Sequence, residues 1–289
     1  MYRIPSSTQV TDVRTKGING FSKLLRTRRG LSVPVSLLVI MFSFTIASTI
    51  AYTYSLKQMG NRKEYLKLFA SEEKMLDLEE AVSDVVWSPG SIRTLALSDY
   101  GGQLRVEPDS NHLLINVTMG GSTYTIFNSS TGRFIYELPS TVIGRYGSWI
   151  RGDDRAIVNR SASYQAQMSV EIGDENEELT ARYRPLVASS LGDLVSDRRI
   201  NNIRIYIVNL NGSESIESGG EFHVRVVGEF VSTDIHSYDL DASATTVEIK
   251  AVLNGTERTV EVPLTAGTSG STARIEVVVG MVVIEGVSV

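Results

Sequence analysis

From residue 30 to residue 56 the chain carries no charged side chain, reading GLSVPVSLLVIMFSFTIASTIAYTYSL. A helix rises ~1.5 Å per residue, so about 20 apolar residues cross the hydrocarbon core of a bilayer. The run is long enough even when its serines and threonines are discounted, because their hydroxyls bond back to carbonyls one turn earlier. Tyr52 and Tyr54 fall near its far end, where aromatic side chains favour the headgroup layer. Before it stand Arg3, Arg14, Lys16, Lys23, Arg26, Arg28 and Arg29 against Asp12 alone, a balance of +6 over residues 1–30. Cations clustered at one end of a span hold that end in the cytoplasm. The sequence thus predicts a basic cytoplasmic leader over 1–30, a single transmembrane helix over 31–56, and an outward location for all that follows Lys57. The competing expectation is a cleaved secretory signal with its exit near Thr49-Ile50-Ala51. The apolar region of such signals is shorter, roughly 7–15 residues.

The whole chain has a net charge of −5, so residues 31–289 carry −11. An acidic body repels a phosphate backbone, and no nucleic-acid partner is expected. The chain has no cysteine, which removes disulfide frameworks, thiolate zinc sites and cysteine nucleophiles together.

Residues 57–88 predict a continuation of the helix. KQMGNRKEYLKLFASEEKMLDLEEAVSDVVW is rich in good helix formers. Met59, Leu66, Phe69, Leu76, Val82 and Val86 are expected on one face, with Glu73, Asp77 and Glu80 on the other. Gly60 weakens the middle by about 1 kcal/mol relative to alanine. Trp87-Ser88-Pro89-Gly90 supplies the stop, because proline cannot continue a helix and glycine accommodates the turn. The expectation is one helix of about 55 residues, transmembrane first and amphipathic afterwards.

Beyond residue 89 the hydrophobic period changes to two. IRTLALS, QLRVEP, HLLINVT, STYTIFN, GRFIYEL, YQAQMSVEI, IRIYIVNL, FHVRVVGEFV, TTVEIKAVL, RTVEVPL and ARIEVVVGMVVIEGVSV read as strands. Gly120-Gly121, Asn211-Gly212, Gly219-Gly220 and Asn254-Gly255 are among the turn signals between them. Asn254-Gly255 is the strongest, a two-residue hairpin between TTVEIKAVL and RTVEVPL. The fold class is mainly β with one long N-terminal helix, the β part an extracytoplasmic sandwich or pair of packed sheets over 89–289. The acidic stretch 173–178 is a possible boundary between an N-terminal and a C-terminal layer. Residues 275–289, strongly apolar but containing Glu276 and Glu285, are expected to form a buried central strand.

Chemistry-bearing residues are sparse. Asn116, Asn128, Asn159, Asn211 and Asn254 each open an Asn-x-Ser/Thr sequon without proline and are candidate N-glycan acceptors on an outward domain. His112, His223 and His236 lie far apart in sequence and give no metal or general-base spacing. Asp234, Asp239 and Asp241 lack the glycine and the terminal glutamate of a calcium loop and read as solvated turn residues. No serine sits in a Gly-x-Ser-x-Gly elbow, and no glycine loop is shaped to cradle a phosphate. Arg151-Gly152-Asp153 reads as a chance tripeptide in a turn. No catalytic residue, metal or cofactor is expected.

Arg28-Arg29-Gly30, followed at once by the uncharged run from Leu31, resembles the class III signal peptide of archaeal type IV pilins and archaellins. The resemblance implies that a prepilin peptidase cuts between Gly30 and Leu31 on the cytoplasmic side and leaves the apolar helix in the mature subunit. Pro34 fits such a helix start, since proline is tolerated in a first turn. A long helix followed by a β domain is also pilin-like. Arg184-Pro185-Leu186-Val187 and NNIRIYIVNL resemble segments of archaeal pilin-like surface proteins. The acidic residue that bacterial pilins hold fifth in the mature chain is absent, that position being Val35, and the domain is large for a major pilin. The implied function is a minor or accessory pilin-like subunit, anchored in the cell membrane or carried into an extracellular filament after processing. Its partners are the membrane, the prepilin peptidase, other pilin-like subunits and the pilus assembly machinery. Ser36, Ser43 and Ala47 are candidate helix-packing positions, because small and hydroxylated residues let helices approach closely in lipid. The alternative is a stand-alone, single-pass binding module whose external β domain contacts a glycan, a surface layer or a protein.

Overall fold

The structure is a computed structural model that describes residues 33–98, 102–138, 146–160, 164–173, 176–212, 216 and 221–287. It comprises two units, Met1–Asn61 and Arg62–Val289. One helix, α1 (Val33–Val85), passes from the first into the second; at 53 residues it is close to the length read from the sequence.

In the first unit every described residue is helical and every described side chain is exposed. This stretch makes α1 long and apolar enough to cross a membrane. Four of its hydroxyls, those of Ser43, Thr45, Thr49 and Thr53, bond back to helix carbonyls. Ser43 Oγ donates to the Val39 carbonyl at 2.8 Å, and Thr45 and Thr49 donate to the Met41 and Thr45 carbonyls at 2.9 Å. Donors engaged in this way no longer oppose an apolar surrounding.

In the second unit α1 ends at the expected stop. The Val86 N–H donates to the Val82 carbonyl, the Ser88 N–H to that of Val85, and Gly90 turns the chain at φ 84°. Two sheets follow. The six-stranded sheet runs β1 (Ile92–Ser98), β10 (Glu221–Leu240), β13 (Ser271–Val287), β9 (Arg198–Gly212), β8 (Leu186–Val195), β5 (Val158–Asn159). The seven-stranded sheet runs β12 (Thr256–Pro263), β11 (Thr246–Leu253), β2 (Gln103–Met119), β3 (Ser122–Glu137), β7 (Glu177–Tyr183), β6 (Ala166–Ile172), β4 (Trp149–Arg151). The chain is therefore mainly β with one long N-terminal helix. β13 is central as expected, antiparallel to β10 and parallel to β9. Its acidic residues are matched across the sheet, Glu276 by Arg204 at 2.5 Å and Glu285 by Arg225 at 2.5 Å.

Three expectations are corrected. The stretch 173–178 does not separate two layers: β6 and β7 on either side of it pair antiparallel in one sheet, with Ile172 opposite Glu177. The layers are instead interleaved along the chain, since β1 joins the C-terminal β10 and the late strands β11 and β12 join β2. QLRVEP and HLLINVT are one strand, β2, and STYTIFN and GRFIYEL are one strand, β3. The apparent break in β2 is a register shift between Glu107 and Asn111, where Asp109 takes φ 58°. An irregularity of this kind bends a strand and re-aims its side chains. Before it Leu104 and Val106 are buried, after it Leu113, Ile115 and Val117, so the buried parity switches within one strand.

That switch distributes β2 between two cores. Leu113, Ile115 and Val117 join Ile203, Ile205, Ile249 and Ile275 where sheet meets sheet. Leu104 and Val106 join Phe134, Met168, Leu179 and Val224 around the helix residues Met75, Leu78, Val82 and Val85. The third correction concerns this helix. Its buried face is formed by Leu68, Ser71, Met75, Leu78, Val82 and Val85, whereas Leu66 and Phe69 of the expected face are exposed. Two glycines allow the sheet to approach the helix end. A Cβ on Gly228 would stand 2.3 Å from the Val85 carbonyl oxygen, and one on Gly280 would stand 2.5 Å from Val86 Cγ2.

Candidate functional site

The candidate assembly surface is α1. Within the first unit Ser36, Ser43 and Ala47 are all exposed. At 100° per residue they fall within about 40° of one another, so the three positions expected to pack do share a face. The processing residues Arg28, Arg29, Gly30 and Leu31 lie outside the described residues.

Within the second unit the helix has two unlike sides. One is the buried stripe just described. On the other, Tyr65, Leu66 and Phe69 are 63%, 70% and 58% exposed. By helical geometry these three sit within roughly 100° of one another and about 160° from the centre of the buried stripe. Three large apolar side chains exposed side by side on the helix form a patch of the kind that marks an interaction surface.

The buried stripe also carries Glu79, which sequence reasoning missed. Arg151 Nη1 donates to Glu79 Oε2, and Ser83 Oγ donates to Oε1 at 3.1 Å. The Tyr183 hydroxyl donates to the Glu79 carbonyl at 3.4 Å, and the Arg151 guanidinium lies 4.8 Å from the centre of the Tyr164 ring. Burial pushes the Tyr183 phenol well above its ordinary value, and the Glu79 carboxylate adds to the shift. The signal was present: Glu72 and Glu79 are seven residues apart and interleave with Leu68, Met75 and Leu78, so both fall on the core side.

The Arg-Gly-Asp tripeptide is structural. Arg151 serves the helix, Gly152 turns at φ 78°, and Asp153 pairs with Arg155 at 2.7 Å and with the fully buried Arg184. Arg184 also donates to the carbonyls of Asp153, Arg155 and Tyr164. The hydrogen bond from Arg155, and after it the one from Arg184, hold the Asp153 carboxyl well below the usual carboxylate range.

The five sequons differ. Asn128, Asn159 and Asn211 are exposed. Asn116 is half-buried on β2 and accepts from Thr125 Oγ1 at 2.9 Å. Asn254 forms the predicted hairpin with Gly255, at φ 49° and 81°, between Leu253 and Thr256. Its Nδ2 donates to the buried Asn111 Oδ1 at 2.7 Å, and its Oδ1 accepts from the His112 N–H at 2.9 Å. The nitrogen that would carry a glycan there is already part of the fold.

The three histidines lie on β2 and β10. Asp234 and Asp239 are strand residues of β10, not turn residues, and only Asp241 lies past its end. Among the described residues no three His, Asp or Glu side chains are grouped to hold a metal ion. The chain matches no protein-family model, and neither a curated protein nor a solved structure is significantly similar to it.

Proposed function

We propose that the chain is a minor or accessory pilin-like subunit of an archaeal cell-surface filament, structural and not catalytic. Its basic leader stays in the cytoplasm, a prepilin peptidase removes it after Gly30, and the β unit stands outside the membrane. The apolar part of α1 first anchors the subunit and then packs against the helices of neighbouring pilin-like chains as the assembly machinery adds it.

The observation that carries this reading is the exposed trio Tyr65, Leu66 and Phe69. A lone anchor needs apolar surface only where lipid surrounds it. The uncharged run ends at Leu56, and Lys57, Arg62 and Lys63 follow. At ~1.5 Å per residue, the trio lies roughly 14–20 Å of helix beyond that end. Lipid does not account for it there, whereas helices bundled in a filament bury such a face along their length. Under the alternative reading, an uncleaved anchored binding module, the same three side chains remain in water.

The test uses the absence of native cysteine. Single cysteines replace Leu66 or Phe69 in cells that assemble filaments, and a short bifunctional thiol reagent is applied. The expected result is a ladder of cross-linked species that contain this chain and other pilin-like chains, with Asp193→Cys, exposed on β8 away from the helix, giving a much weaker ladder. Monomer alone at positions 66 and 69, in cells whose filaments are intact, overturns the proposal in favour of the anchored module.

A further inference from the structure

At one end of the second unit, the β2–β3 turn and the segment after β10 enclose a cleft of about 800 Å³. That is within the range of small-molecule sites, roughly 300–1,000 Å³. The turn is a two-residue hairpin, Gly120 and Gly121 at φ 55° and 80°. Met119 and Leu240, both buried, contribute the apolar part of the lining. The two sheets each contribute a tyrosine, Tyr124 from β3 and Tyr238 from β10, with ring centroids 4.6 Å apart and planes inclined by 39°. Hydroxyls of Ser122, Ser237, Ser243 and Thr245 and the carboxylates of Asp239 and Asp241 complete the wall.

We infer that this cleft is a binding site for a neutral oligosaccharide. The mixture of groups selects the ligand. A predominantly polar wall does not suit an apolar molecule, and two carboxylates repel an anion. A cation is a poor match as well, because Asp239 is already engaged by Thr272 Oγ1 at 2.7 Å and by Arg198 at 3.8 Å. What the wall offers is one aromatic surface, several hydroxyls that both donate and accept, and carboxylate oxygens that only accept. A sugar ring has the matching parts. Its C–H face packs on a tyrosine ring, and its neighbouring hydroxyls donate to Asp241, for whose carboxylate no partner is found among the described residues. Tyrosine fits this role because it pairs an apolar body with a polar tip. The inference uses only the β unit and stands or falls independently of the helix argument.

The experiment places the full chain in micelles of a phosphocholine-headgroup detergent, since a sugar-headgroup detergent would compete. Cellotriose, maltotriose, mannotriose and chitotriose are offered separately and followed by saturation-transfer NMR and calorimetry. The expected result is binding of at least one trisaccharide, insensitive to high salt and weakened about tenfold or more, ~1.4 kcal/mol, in both Tyr124→Ala and Asp241→Ala. Asp241 is exposed on the segment after β10, so its replacement leaves the core intact and covers the case in which the tyrosine variant folds poorly. Three results overturn the inference. One is no transfer to any of the four sugars at about 10 mM, where even a Kd of ~1 mM would leave most sites filled. Another is binding unchanged in both variants. The third is salt-sensitive binding of trilysine in preference to the sugars, which would assign the cleft to a cationic partner.

Discussion

The two halves of α1 make similar demands on sequence and meet opposite fates. Both are rich in large apolar residues. In the first unit these residues are exposed all round, and Ser43, Thr45, Thr49 and Thr53 fold their hydroxyls back onto helix carbonyls, which lowers the polarity the uncharged run presents. In the second unit one stripe is buried under two sheets, and it includes Glu79, whose partners come from β4 and β7. The lesson is that apolar content does not reveal a helix's solvent. The first half suits lipid or other helices because it carries no charge through Leu56 and buries nothing against the sheets. The second half suits a protein core because its polar members find partners there.

The sharpest way to break this comparison is at the leader, where the expected effect is all-or-none. If the first half serves assembly, Gly30→Val leaves the chain uncut and out of filaments, while N-terminal sequencing of the wild type gives Leu31. A wild-type chain that begins near Met1 in a cell with active prepilin peptidase ends the assembly account, and a start between Ala47 and Tyr52 assigns the segment to ordinary secretion.

Next in size is the packed half. Leu78→Ala empties a fully buried position and is expected to cost about 2–5 kcal/mol in denaturant unfolding of the β unit. Ile46→Ala, in the exposed half, is expected to leave the same transition unmoved within about 0.5 kcal/mol. Equal losses would mean that the two halves are not distinct environments.

Asn254→Ala is expected to cost about 1–3 kcal/mol, because it leaves the side-chain Oδ1 of the buried Asn111 without its donor. Alanine is also poorly suited to φ 49°. Glycopeptide mapping in a glycosylating host should correspondingly find Asn254 bare and sugar among Asn128, Asn159 and Asn211. A fully occupied Asn254 would show that the hairpin amide is dispensable.

The smallest effect is with pH. Asp153 has a folded-state value below its unfolded one, so its contribution is present above about pH 4 and is lost as pH falls toward the lower folded value. Glu107 shifts in the same direction, since Arg133 and then Arg105 outweigh the opposing effect of burial. Unfolding free energy should therefore fall on acidification below about pH 4, and the fall should be shallower in Asp153→Asn. An unchanged acid limb would remove Asp153 from the account.

Much of the fold is legible in the residues alone. The uncharged run, the Pro89-Gly90 stop, the period-two strands and the Asn254-Gly255 hairpin are local, and each follows from backbone geometry or from the solvent a short segment can tolerate. The chain also contains the five sequons and the three small residues of the α1 face. Less legible were β7 and β8. EELTARY and LVASSLGDLV have too few β-branched residues in alternation to stand out, and they are strands because their neighbours β3, β6 and β9 offer hydrogen bonds.

What the sequence determined by itself is what depends on neighbours within a few positions: an apolar helix of membrane-spanning length, where it stops, and a mainly β remainder. Tertiary structure alone decided which side of α1 is buried, because the helix has apolar residues on both sides and only the sheets' position distinguishes Leu78 from Leu66. It also decided that Arg151 and Asp153 are internal ties and that Tyr124 and Tyr238, 114 positions apart in the chain, pack against each other in the wall of a cleft. Contacts between residues so distant depend on strand order and register, which set the whole sheet at once and leave no mark in any single stretch of sequence.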